Sequence, residues 1–191
     1  KWRAKDADMT VLLHETAPEL LKVYQQLVTS GLSIGAGAVH EDTPAPVRVA
    51  LGLAIRKLKQ HWRLGMMLAP LLATKAAKPL GVDQAAARQA QIACTLPAIT
   101  SQGSESELEL LRNQEVASTL LAAASACGLE NCWQWKPLVD GKQVMTLLRL
   151  QKAGPELGKA LAAAMEWQLA NPQGSLELCQ QHVKQWHKNS K

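Results

Sequence analysis

Two short apolar runs, at residues 143–150 and 155–169, are separated by Gln151-Lys152-Ala153-Gly154, and this interruption limits the fold more than any other stretch. In the second run Leu157, Leu161, Ala164, Met165 and Leu169 recur at helical spacing, so a helix, a hairpin and a second helix are expected over 143–169. Pro155 suits a first helical position, because the N–H it lacks would have no partner there. Gly154 permits either a tight turn or a close approach of backbone to a ligand. A helix start with free N–H groups beside Lys152 and Lys159 is a seat for a phosphate. The same residues also read as a plain turn between packed helices, since Gly-Pro is common punctuation.

The apolar residues elsewhere are of one kind. The chain has 191 residues with no Phe and one Tyr, and Ala and Leu outweigh the β-branched types. Ala and Leu lose little in a helix, whereas strands are enriched in β-branched and aromatic residues, so the expected class is all-α with essentially no sheet. The length suffices for one large helical domain or two small ones. The formal net charge of +5 permits an anionic partner without requiring one. Cys94, Cys127, Cys132 and Cys179 show no C-x-x-C pair and read as reduced, mostly buried thiols of an intracellular protein. Cytoplasm, nucleus, mitochondrion and plastid are not distinguished. No apolar run approaches the roughly 20 residues of a membrane span, and Lys1 in place of Met suggests a natural start elsewhere.

Along the chain, Asp6 caps a helix reaching about His14, and Thr16-Ala17-Pro18-Glu19 restarts a helix to about Thr29, with Thr16 as its cap and Leu20, Leu21, Tyr24, Leu27 and Val28 as its buried side. Gly31, Gly35 and Gly37 loosen a connector ending in Thr43-Pro44-Ala45-Pro46. From Val47 a long helix is expected, with Val47, Leu51, Ile55, Leu58 and Trp62 as its apolar stripe and Arg48, Arg56, Lys59 and Arg63 as a flanking basic one. That basic stripe reads as a solvated face or a binding face, and Trp62 as core or as a base-stacking surface. Pro70 should end or kink the helix, and Lys78-Pro79-Leu80-Gly81 is a turn. An Ala- and Gln-rich helix follows over 83–95, then a polar boundary at 97–106 and a helix over 105–127 that Gly128 terminates. Ser175 caps a last helix, with Leu176, Cys179, Val183 and Trp186 inside and Lys184, His187 and Lys188 outside.

No active site is legible. Asp6 and Asp8 have the spacing of a metal-binding carboxylate pair, but on a helix they diverge by about 200°, which leaves a capping or surface role. His14-Glu15 lacks the second histidine of a zinc-protease helix because position 18 is Pro18, and no phosphate-binding loop or nucleophile motif occurs.

Three stretches stand out: Cys132-Trp133-Gln134-Trp135-Lys136-Pro137-Leu138-Val139-Asp140-Gly141-Lys142, then Ala153-Gly154-Pro155-Glu156-Leu157-Gly158, then Glu166-Trp167-Gln168-Leu169-Ala170-Asn171-Pro172. Together they resemble the tail of CCA-adding tRNA nucleotidyltransferases of the type with head, neck, body and tail domains. Lys5-Asp6-Ala7-Asp8 leading to Leu13-His14, and Leu51-Gly52-Leu53-Ala54-Ile55-Arg56 leading to Trp62-Arg63-Leu64, agree in order. The resemblance implies a helical array with a partial body domain over 1–100 and a tail domain over 101–191. It implies an enzyme that adds C, C and A to tRNA 3′ ends from CTP and ATP with Mg2+, its catalytic head and neck lying upstream of this segment. No catalytic residue carries over, no metal or nucleotide site is expected here, and the segment alone is expected to be inactive. The body and tail of such enzymes hold the tRNA acceptor and T arms through phosphates and shape, as duplex RNA requires. Lys152, Gly154 and Lys159 are then the expected phosphate contacts, with Lys142, Arg56, Lys59 and Arg63 as weaker candidates. A helical scaffold that binds protein and a helix-hairpin-helix module that binds DNA are the competing readings.

Overall fold

The computed structural model describes residues 4–30, 43–73 and 105–189. Every regular element among them is helical. In chain order they are α1 (Ala4–Thr29), α2 (Ala45–Leu58), a 3-10 turn (Lys59–His61), α3 (Trp62–Ala73), α4 (Glu105–Ala126), a 3-10 turn (Cys132–Gln134), α5 (Gly141–Leu148), α6 (Pro155–Ala170) and α7 (Leu176–Asn189). Gly31, Gly35, Gly37, His40, the turn at 78–81, the helix expected over 83–95 with Cys94, and most of the 97–106 boundary lie outside the described residues. No helix among the described residues is long and apolar enough to cross a membrane.

Two expectations about helix ends are corrected. Thr16 and Pro18 do not restart a helix, because α1 runs through both. The Thr16 hydroxyl, buried at 1% exposure, donates backwards to the Leu12 and Leu13 carbonyls at 2.8 and 3.3 Å instead of capping forwards. Burial of Ala17, Leu20, Val23 and Leu27 on one face holds α1 continuous, whereas Val28 stays 39% exposed. The long helix from Val47 breaks at Lys59, whose φ of 52° and ψ of −130° leave the helical region. The break lets Gly65 pack against the Leu58 side chain, whose Cδ1 lies 2.5 Å from where a Cβ on Gly65 would be. In a straight helix residues seven apart stand ~10.5 Å along the axis, out of such contact. Of the end or kink expected at Pro70, the end does not occur, since Pro70 lies inside α3. At the C-terminal end, Leu176 is 37% exposed, and His187 turns inward to 12% exposure to meet Glu156.

The buried residues form two cores. One joins α1, α2, α3 and α4 with Leu129 and Cys132, and takes in Met165 and Leu169 from the end of α6. The other joins Val139 and Val144 to Ala160, Ala164, Cys179 and Val183 of α6 and α7. The packing therefore divides after α4, near Val139, while α6 belongs to both cores and packs on α2.

The connector between the cores is held by side chains from both sides. Arg48 donates to the Cys127 carbonyl at 3.2 Å, and Arg56 Nη1 donates to the carbonyls of Cys132 and Trp135 at 2.6 and 3.0 Å. From α6, Gln168 accepts from the Leu138 N–H and donates to the Lys136 carbonyl. Cys132 Sγ lies 3.6 Å from the Gly52 carbonyl, and burial pushes this thiol up to about 11, with the Arg56 charge opposing part of the rise. The folded chain thus keeps a proton that the unfolded chain loses from pH 9 upward. Stability fully present below pH 9 is lost as pH rises to about 11. In a denaturant series from pH 8 to 11, Cys132→Ala is expected to lose stability less steeply than the parent, and equal slopes would contradict the burial assigned to this thiol.

Candidate nucleic-acid interface

The α5 to α6 connector is built from two different helix ends. Asp140 and Gln143 close a capping box at the start of α5, the Gln143 N–H donating to Asp140 at 2.7 Å and the Asp140 N–H to Gln143 at 3.0 Å. The box satisfies the Asp140 and Gln143 N–H groups and sets the Asp140 carboxylate at this helix start, which disfavours an anion there. At the other end Leu150 N–H donates to the Met145 carbonyl and Arg149 N–H to Thr146, which is a Schellman ending with Arg149 in the left-handed region.

The start of α6 is different. Pro155 supplies no N–H, Gly154 is the cap residue, and no side chain caps it. Its first-turn acid, Glu156, pairs with Nδ1 of His187 at 3.2 Å, tying α7 to this end. Residues 151–156, Gly158 and Lys159 are all exposed. Among the described residues Lys142, Lys152 and Lys159 form no ion pair.

Gly154 has φ −150° and ψ −172°, an extended conformation that does not need glycine. A Cβ there, or on Gly158 one turn further along α6, would meet nothing within 4 Å. The tight-turn reason for Gly154 is thus absent; glycine suits this N-cap position, and its bare backbone also leaves room for close approach from outside. Gly158 is the residue that sequence reasoning passed over. An exposed glycine inside a helix costs about 1 kcal/mol against alanine, and its four-residue spacing from Gly154 was the available signal.

Lys152 and Gly154 lie just before the exposed start of α6 and Lys159 just inside it, while Lys142 sits at the opposite end of α5, about 10 Å along the axis. The others surround the α2–α3 joint. Lys59 is exposed there. Arg56 spends Nη1 on the connector carbonyls, and Arg63 pairs with Glu130 at 3.2 Å and covers the Trp62 ring at 5.0 Å. Trp62 is core at 5% exposure and presents no stacking face. Asp6 and Asp8 both lie in α1, and no group of three His, Cys, Asp or Glu side chains suited to a metal ion occurs among the described residues.

No protein-family model matches the chain, and no solved structure matches it. Two curated relatives do match in part. The mitochondrial CCA tRNA nucleotidyltransferase of Saccharomyces cerevisiae is 46% identical over 56 residues, 29% of this chain and 10% of the relative. The tRNA nucleotidyltransferase cca2 of Schizosaccharomyces pombe is 41% identical over 51 residues, 27% of this chain and 10% of the relative. The matched residues span about a tenth of the length of each relative, and over that tenth this chain is similar to tRNA nucleotidyltransferases.

Proposed function

We propose that this chain is the C-terminal, tRNA-holding part of a CCA-adding enzyme, and that it grips the acceptor and T arms without performing the chemistry. In this reading CTP, ATP and Mg2+ are handled by a catalytic head and neck upstream, and the segment alone is inactive. The observation that carries it is the α5–α6 connector, where Lys152 and Lys159 flank an uncapped helix start and a bare Gly154 backbone. Backbone N–H groups, a helix dipole and two cations in one exposed place suit a phosphate, and they carry no information about base identity. The partial similarity to two tRNA nucleotidyltransferases supports tRNA as the nucleic acid.

Binding of tRNA by the 191-residue chain is expected to weaken steeply with salt, log affinity falling by roughly 0.7–0.9 per phosphate neutralised for each unit of log salt. Duplex DNA of equal charge is expected to bind at least about tenfold more weakly, since its groove shape and missing 2′-hydroxyl remove the match. Equal affinity for both would favour a DNA-binding hairpin. Salt-insensitive or absent binding would sink the proposal and leave a protein-binding scaffold, for which exposed Leu64 and Met67 on α3 offer one apolar face.

A further inference from the structure

We infer that Arg149 is a phosphate-binding residue of the α5–α6 connector, an arginine kept where folding alone favours glycine. The inference rests on the tRNA-holding reading and deepens it. Arg149 has φ 54° and ψ 41°, the left-handed basin that a Cβ disfavours. The chain contains its own comparison. α4 ends in the same hydrogen-bonded motif, with Leu129 N–H donating to Ala124 and Gly128 N–H to Ser125, and there the equivalent position is Gly128 at φ 65°. The same turn is thus made once with glycine and once with arginine. Among the described residues the only other non-glycine residue at positive φ is Lys59, which is also an exposed cation.

The side chain of Arg149 gives the fold nothing that offsets its backbone. It is exposed, and among the described residues it makes no hydrogen bond or ion pair. Its charge near the end of α5 gains from the helix dipole, but at an exposed site that gain is small and screened by salt. Strain retained at an exposed, unpaired side chain points to a partner outside the chain. A guanidinium presents two parallel donors to a phosphodiester, and Arg149 stands three residues before Lys152 in the connector that ends at Gly154. All three are exposed along the same connector.

The test compares Arg149→Gly and Arg149→Lys with the parent 191-residue chain, reading melting temperature and tRNA affinity over a salt series. Arg149→Gly is expected to raise the melting temperature by a few degrees while weakening tRNA binding about tenfold and lowering the salt slope by about one unit. Arg149→Lys is expected to keep the slope and lose only part of the affinity. The inference is overturned if Arg149→Gly binds tRNA with the parent's affinity and slope, or if it melts lower than the parent, which would make the arginine a support of the fold. A parent chain with no salt-dependent tRNA binding removes the tRNA-holding reading and this inference with it. Loss of binding on reversing Lys152 and Lys159, but not on Arg149→Gly, removes this inference alone.

Discussion

Reversing charge at Lys152 and Lys159 together, as Lys152→Glu with Lys159→Glu, is expected to weaken tRNA binding by at least about a hundredfold at low salt. A hydrogen bond to a charged group contributes about 1.5–3 kcal/mol, so losing two removes at least about 3 kcal/mol, and the new carboxylates repel phosphate besides. The salt slope is expected to fall by about two units in the same titration. Stability is expected to be unchanged within a few degrees. Both lysines are exposed and form no ion pair among the described residues. A glutamate within the first two turns of α6 is, if anything, favoured by the helix dipole. Retained affinity with a retained slope would show that the connector does not touch the RNA. Lost affinity with a lowered melting temperature would show that the lysines support the fold instead.

The difference between what the sequence discloses and what it hides follows from the range of each signal. The end of α4 at Gly128, the start of α6 at Pro155 and the all-helical class are legible because a few neighbouring residues decide them. The cap role expected for Thr16 fails because a hydroxyl can donate backwards as well as accept forwards, and the choice is made by the burial of Ala17 and Leu20 against other helices. The break at Lys59 is hidden for the same reason, since its advantage is contact between Gly65 and Leu58 that appears only after the chain has bent. Arg56 is the clearest case. Its register one step from the apolar stripe is what a solvated or RNA-facing cation would show, yet its guanidinium lies under two carbonyls from residues 132 and 135. Nothing within a helix turn of Arg56 announces that the α4–α5 connector passes there. By contrast Lys152, Gly154 and Lys159 lie within eight residues of one another, so their placement about the start of α6 is legible from local spacing alone.

The opposite pattern, a large loss of stability with RNA recognition intact, is expected where α2 crosses α6. A Cβ on Gly52 would lie 2.6 Å from Cδ2 of Leu169, 3.0 Å from its Cδ1 and 3.2 Å from its Cγ. Leu169 is fully buried and cannot swing clear. Gly52→Val therefore forces the two helices apart, and its cost is about 3 kcal/mol, at the upper end for overpacking, despite the better helix propensity of the new residue. Leu169→Ala leaves a cavity in the same place and costs about 3 kcal/mol as well. Because each change relieves what the other imposes, the double variant is expected to be more stable than the sum predicts by about 1–2 kcal/mol, measured by denaturant unfolding. Strict additivity would mean that α2 and α6 do not meet at these residues. Leu169 lies at the end of α6 opposite the connector, about 20 Å along its axis. Whatever fraction of Gly52→Val remains folded should therefore bind tRNA with the parent's salt slope. Loss of the slope would mean that the α2–α6 contact, by fixing where α6 begins, sets the geometry of Lys152 and Gly154 from a distance.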